Sequence, residues 1–178
     1  MLKNYFYSLV KRWMREQEAL AAIEAAMIFP IMLAIFVGVF DVGNGILANQ
    51  KTVRASQVIA DLIARTNIVS NNDVAEAVEA GRLAFEPMDS SAYGVDIISM
   101  RFDELGTPEI LWRETVNMSP IADPIGSVAA LQAPNEGVVM VAVEFEYVPI
   151  FAGHIISTFD MQEVAFSRGR RSPVVTRE

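Results

Sequence analysis

The feature that most constrains this chain is an apolar run that follows a basic N-terminus. The 22 residues from Ala19 to Phe40 contain a single charged side chain, Glu24. As a helix this run would be about 33 Å long, enough to cross a hydrocarbon core of about 30 Å. Because a carboxylate inside a membrane-spanning helix is costly, Glu24 needs a partner or a water-accessible position. Glu24 is therefore the first candidate functional residue.

The distribution of positive charge predicts the orientation of the span. Lys3, Lys11, Arg12 and Arg15 precede the apolar run, and the next positive residue is Lys51. The positive-inside rule then places the N-terminus in the cytoplasm and the remainder on the other side of the membrane, as a single pass. A cleaved secretory signal is the rival interpretation. We favour an uncleaved span, because the run exceeds the usual signal core of about 7 to 15 residues.

Charge and composition exclude several functions. The formal net charge is −8 and residues 1–40 contribute +1, so the exported part carries −9 and is unsuited to binding nucleic acid. There is no cysteine and one histidine, His154, so thiol chemistry and the usual Cys/His zinc site are excluded. No nucleotide-binding or nucleophile motif occurs. Glu144 and Glu146 are better explained as a solvated strand face than as a cation site. We expect no enzyme activity, cofactor or metal.

The chain divides into five predicted segments. They are a cytoplasmic basic leader (1–18), a transmembrane helix (19–42), a helical stalk with a second helix (43–86), an antiparallel sheet domain (87–170) and a polar tail (171–178). Trp13 is expected at the inner headgroup level, and the leader is either a helix lying on the inner leaflet or an unordered topogenic segment.

Helical spacing resumes beyond the span. It predicts one rod that continues to about Arg65, with Gly43 and Gly45 as a hinge at the membrane exit. A second helix is expected to start at a cap formed by Asn71 or Asn72 and to run through about Phe85. Two helices therefore precede the first strand.

The rest of the chain has a strand pattern. Four strands are predicted, at Tyr93 to Asp103, Glu109 to Val116, Val138 to Val148 and Met161 to Arg168. The first two form a hairpin around Leu105 and Gly106, and the alternation in the third predicts one buried and one largely wet sheet face. Helices followed by strands indicate an α+β fold, in which the long helix lies on one face of an antiparallel sheet of about four strands.

Two interpretations of Glu24 remain open. It can lie at the headgroup boundary and favour the positive end of the helix dipole. Alternatively, cleavage after Ala19 exposes the amine of Leu20 one helical turn from Glu24, which then pairs with its own or a neighbour's amine and sets axial register. Pro30 removes a helical donor and predicts a local kink.

Asp41 and Gly43 are the candidate residues at the outer end of the span. Asp41 stands where the apolar run stops, so we expect it to mark the outer headgroup boundary, with Gly43 beside it. A contact between subunits is the alternative role for Asp41.

These residues together resemble a known family. The stretch Ala19-Leu-Ala-Ala-Ile-Glu24-Ala-Ala-Met-Ile-Phe-Pro30, followed by Gly38, Asp41 and Gly43, resembles the N-terminal motif of TadE/TadG-like minor pseudopilins of the tight-adherence (Tad) pilus. The resemblance implies a membrane-anchored, non-enzymatic pseudopilin that takes part in pilus assembly and adhesion. The implied partners are other pilins and pseudopilins, the pilus assembly platform, prepilin peptidase and the lipid bilayer.

Two positions depart from the family pattern. Ala19 stands where substrates of prepilin peptidase usually have Gly, and Ala25 stands where an aromatic residue usually follows the Glu. These departures weaken the inference of cleavage but not that of membrane anchoring. The alternative is a permanently anchored, uncleaved envelope adaptor or sensor with a periplasmic interaction domain.

Overall fold

In the computed structural model, one helix carries the chain from the basic leader into the folded domain. The structure describes residues 2–153 and 157–178, and for residues 2–6, 9 and 13–19 it describes the backbone alone. Helix α1 (Leu2–Ile63) has 62 residues, is unbroken at Gly43 and Gly45, and ends slightly before the predicted Arg65. The long rod expected from helical spacing is therefore confirmed.

Helix α2 (Asn71–Leu83) starts at a different cap from the one predicted. The N-cap is Ser70, whose hydroxyl accepts a hydrogen bond from the backbone N–H of Asp73 at 3.2 Å. The carboxylate of Asp73 accepts in return from the backbone N–H of Ser70 at 2.8 Å. This reciprocal capping box satisfies two helix-end donors at once, which a cap at Asn71 or Asn72 would not do.

The four predicted strands form one antiparallel sheet, which confirms the α+β fold. The strands are β2 (Tyr93–Phe102), β3 (Pro108–Val116), β4 (Gly137–Tyr147) and β5 (Phe159–Ser167), in the order β3-β2-β4-β5. Gly106 adopts φ +82° in the turn between β2 and β3, a conformation that favours glycine. The hairpin predicted at this glycine is confirmed.

The second half of α1 packs across one face of the sheet. The residues that α1 buries there are mostly small, which lets the helix backbone approach the strands. They are Ala48, Thr52, Ala55, Ser56, Ile59 and Ile63. On the sheet side they meet the predicted inward face of β4 and alternate residues of β2, namely Val139, Val141, Val143, Phe145, Tyr147, Val95 and Ile97.

The opposite face of the sheet is not largely wet, contrary to the prediction. Ile98, Met100 and Met140 are buried on it, under the connection between β3 and β4. This connection contains the short helix α3 (Pro124–Ser127) and a 3-10 turn (Ala129–Leu131). It reads as an irregular, Pro-punctuated stretch, so its covering role has no periodic signal in the sequence.

A buried ion pair fastens this connection to the sheet. The carboxylate of Asp96, fully buried on β2, accepts from Nε of Arg113 at 2.9 Å, from the hydroxyl of Thr115 at 2.8 Å and from the backbone N–H of Ile121 at 3.0 Å. Burial by itself raises the pKa of Asp96, but these donors outweigh it and hold the pKa below its ordinary value.

The C-terminal residues fold back onto the domain. Strand β6 (Thr176–Arg177) pairs in parallel with β1 (Ile68–Val69), which lies between α1 and α2. Val175 is buried, and its carbonyl accepts from Ser99 and Trp112 at 2.6 and 3.0 Å. The segment predicted as a polar tail therefore contributes an apolar side chain to the core.

Candidate membrane anchor and assembly helix

The two halves of α1 differ sharply in what covers them. Apart from the half-buried Val37, the large apolar side chains from Leu20 to Phe40 are between 47% and 70% exposed, whereas Asp41 is buried against the domain. The helix is apolar enough to cross a membrane, with a mean hydropathy of 2.4 over its most apolar window and none of that window buried in the chain. An uncovered apolar helix of this length is compatible with a single-pass membrane protein.

Glu24 lies in the uncovered half. Its side chain is exposed, and among the described side chains it has no hydrogen-bond or ion-pair partner. Leu20 lies one turn earlier on the same helix and is also exposed. The structure therefore leaves the Glu24 carboxylate available to a group from outside the chain. Pro30 lies within the same continuous helix.

Three positions singled out from the sequence are described only in part or not at all. The backbone of Trp13 and Ala19 is helical, but their side chains lie outside the described ones. His154 falls outside the described residues. The headgroup position of Trp13 and the cleavage after Ala19 stay predictions.

Asp41 is held by its own chain. The residue is only 6% exposed, and its carboxylate accepts hydrogen bonds from three consecutive backbone N–H groups of the segment after β4. Oδ1 accepts from Ile150 at 3.0 Å and Phe151 at 3.3 Å, and Oδ2 accepts from Phe151 at 3.2 Å and Ala152 at 2.7 Å. Hydrogen bonds from backbone N–H groups to a charged carboxylate are about twice as strong as neutral ones.

Two further contacts tie α1 to the same end of the sheet. The hydroxyl of Tyr147, the last residue of β4, donates to the backbone carbonyl of Asp41 at 3.1 Å. The rings of Phe40 and Phe151 meet edge to face, with centroids 5.4 Å apart. The end of the apolar run and the start of the folded domain are thus one packed junction.

The glycines around this junction have different surroundings. A Cβ added to Gly45 would lie 3.5 Å from the Tyr147 ring, whereas a Cβ at Gly38 or Gly43 would have none of the described atoms within 4 Å. An open groove of about 490 Å³ runs between α1 and the ends of β4 and β5. Its walls are mainly apolar and include Val42, Ile46, Tyr147, Phe159 and Met161.

Comparison with known families assigns α1 from residue 20 almost to its end. Residues 20–61 match the model of a family described as TadE-like protein. Residues 20–61 of this chain are TadE-like. The resemblance drawn from Glu24, Pro30, Gly38, Asp41 and Gly43 is confirmed over this range, and the match supports a protein related to the Tad pilus.

The TadE-like match covers less than half of the chain and stops before the sheet. It ends within α1, two residues before the end of the helix. Neither the curated proteins nor the solved structures gave a match to this chain. The architecture of the chain beyond residue 61 therefore rests on the structure itself.

The sequence did not reveal the partners of Asp41. They are backbone amides more than 100 residues away, which any residue except proline supplies. The one local signal was Pro149, which lies just after the end of β4 at Tyr147. Within the described residues, no group of three or more Asp, Glu, His or Cys side chains is arranged to hold a metal ion.

Proposed function

We propose that this TadE-like chain is a non-enzymatic, membrane-anchored pseudopilin, a minor pilin that takes part in Tad-type pilus assembly and adhesion. The observation that carries the proposal is the division of α1 at Asp41. Before Asp41 the helix offers an apolar surface that its own domain leaves largely uncovered, and from Asp41 onward one side of the helix is buried against the domain. Such a helix can lie in the lipid bilayer before assembly and pack against neighbouring helices after it.

In this proposal Glu24 sets the register of assembly. Parallel apolar helices from several subunits pack together, and the carboxylate of Glu24 pairs with the N-terminal amine that cleavage after Ala19 exposes on Leu20 of a neighbour. The pairing removes part of the cost of a desolvated carboxylate. Because the Asp41 junction fixes the sheet domain to the helix, register set at Glu24 also sets the position of the domain.

The proposed location is the bacterial inner membrane, with the N-terminus in the cytoplasm and the domain in the periplasm, followed by incorporation into the pilus. The proposed partners are prepilin peptidase, other pilins and pseudopilins, and the assembly platform. The acidic net charge of the exported part supports contact with proteins rather than with nucleic acid.

The substitution Glu24→Gln tests the proposal in cells that lack the native protein. Membrane insertion is expected to stay intact or improve, because a charge is removed, while co-purification with pilin partners and pilus formation fall. Glu76→Gln is the matched control, since Glu76 is an exposed carboxylate on α2, away from the uncovered half of α1. Normal pilus formation by the Glu24→Gln protein would contradict the assembly role.

One observation favours the second candidate, an uncleaved envelope adaptor or sensor. The backbone of α1 is continuously helical across Ala19 and Leu20, and the position before the proposed cleavage is Ala instead of Gly. A helical backbone must open before a peptidase can cleave it, and Gly would make that opening easier. In this candidate the amine never forms, and Glu24 stays at the headgroup boundary.

A further inference from the structure

A short loop after β4 exposes apolar side chains beside the end of the apolar run. This loop, residues 148–153, contains no charged residue. Val148, Ile150 and Phe151 are 56%, 64% and 54% exposed, respectively. Phe151 also contacts the ring of Phe40, the last residue of the run. The loop therefore continues the uncovered apolar surface of α1 onto the folded domain.

Three backbone N–H groups of this loop already have hydrogen-bond partners within the chain. Unpaired backbone N–H groups are costly in lipid, so an irregular segment normally stays outside the bilayer. Here three consecutive N–H groups, those of Ile150, Phe151 and Ala152, donate to the carboxylate of Asp41. The same bonds satisfy the charge of Asp41, which would otherwise be expensive at the edge of a membrane.

We propose that loop 148–153 is a second membrane contact of this chain, inserted into the outer leaflet beside the point where α1 leaves the bilayer. The inference rests on the membrane anchoring in the proposed function. A span of about 33 Å that ends at Phe40 reaches the outer edge of the hydrocarbon core, and Phe151 packs on Phe40 at that depth. Aromatic side chains favour this interface.

Two observations favour phospholipid over protein as the contact partner of the loop. The loop is continuous with a helix surface compatible with a bilayer, and it is uncharged within an exported part that carries strong negative charge. A surface for a specific protein partner would be expected to include polar or charged groups that fix orientation, as rims of such interfaces do.

Two membrane contacts would also fix the orientation of the domain. Strand β4 runs from Gly137 to Tyr147, about 33 Å at roughly 3.3 Å per residue, and loop 148–153 follows its last residue. The β2–β3 turn lies at the opposite end of the sheet, beside the start of β4. Leu105 in that turn is 90% exposed and is expected to project into the periplasm, far from lipid.

Labelling at single cysteines tests the inference, because the chain has none of its own. Ile31→Cys in the span, Ile150→Cys in the loop and Leu105→Cys in the distal turn each receive an environment-sensitive fluorophore. The labelled full-length proteins are placed in phosphatidylcholine vesicles at high lipid excess, with lipid nitroxide quenchers at two depths, one near the headgroup and one near the middle of the bilayer. We expect quenching and blue-shifted emission for the Ile31 and Ile150 labels and neither for the Leu105 label.

The possible results distinguish a failure of the loop contact from a failure of membrane anchoring. Quenching at Ile31 with a water-like signal at Ile150 would overturn the loop contact and leave the anchor standing. No quenching at Ile31 would overturn the anchor and the loop contact together. A third result is an Ile150 label that the lipid nitroxides never quench and that is shielded from aqueous iodide only at high protein density. This result would identify a second copy of the chain as the contact partner of the loop and would overturn the inference. Val148→Cys repeats the measurement at an independent exposed position in the loop.

Discussion

The backbone N–H of Ala152 donates to the Oδ2 atom of Asp41 at 2.7 Å, and this contact joins the helix that leaves the apolar run to a loop 111 residues later in the chain. Asp41 was expected to mark a membrane boundary. In the structure it is a buried residue at which the helix first joins the folded domain. The position that ends the apolar run also fixes the domain to it.

Asp41→Asn is expected to loosen this junction. The carboxamide has one acceptor oxygen and carries no charge, so at least one loop N–H group loses its partner. Hydrogen bonds to charged groups contribute about 1.5 to 3 kcal/mol, and we expect the free energy of unfolding to fall by about 2 kcal/mol. Urea unfolding of the full-length protein in detergent measures the change. Asp160→Asn, at an exposed position on β5, is the control, and equal stability of the two variants would contradict this role.

Arg113→Leu is expected to be among the most damaging single changes in the sheet. It removes a cation while leaving the fully buried carboxylate of Asp96 behind, which typically costs about 3 to 5 kcal/mol. Arg101→Leu is a matched control in the same hairpin. Its partner Glu109 is exposed, so the pair contributes at most about 1 kcal/mol. The same urea unfolding experiment compares the two variants. A smaller loss of unfolding free energy for Arg113→Leu than for Arg101→Leu would contradict the role of the buried pair in fastening the connection to the sheet.

The lowered pKa of Asp96 predicts how stability depends on acid. Above the ordinary value of 3.8 the group is ionised in both states, and its stabilising contribution is fully present. As the pH falls below that value, the unfolded chain takes up a proton first, so the contribution is lost toward the lower folded-state pKa. The parent protein should therefore lose more unfolding free energy than Asp96→Asn between about pH 5 and about pH 2. Parallel acid profiles for the two proteins would rule this out.

Two glycine substitutions separate packing in the domain from helix propensity in α1. A Cβ at Gly81 on α2 would overlap with Cδ1 of the buried Ile59 and with the hydroxyl of Tyr93, so Gly81→Ala is expected to destabilise by about 1 to 3 kcal/mol. The Cβ of Gly43→Ala meets no atom of the described residues within 4 Å, so this change should leave stability unchanged or raise it by up to about 1 kcal/mol. Thermal unfolding measures the stability of both variants. A Gly43→Ala protein less stable than the Gly81→Ala protein would contradict the packing seen at Gly81.

Features with a local period could be predicted from the sequence, and features made by distant backbone groups could not. The long helix through Gly43, the hairpin at Gly106 and the inward face of β4 all follow from patterns within about ten residues. The capping box at Ser70 was missed because Asn71 and Asn72 are equally good caps by residue type.

The Asp41 junction and the covered second sheet face depend on contacts between segments that carry no periodic signal. The loop that binds Asp41 contributes only backbone N–H groups, which have no side-chain signature. The connection over Met140 is irregular in sequence, and its anchor, Asp96, occupies a position that reads as an ordinary polar residue in a strand. Both had to be found from coordinates.

The most direct test of the pseudopilin account is the N-terminal sequence and intact mass of the protein extracted from cell membranes. The account predicts a mature chain that starts at Leu20, whose free amine can pair with Glu24 of a neighbouring subunit. A mass of 19.6 kDa that retains Met1 in the membrane and in the pilus fraction would contradict it and would support the permanently anchored adaptor.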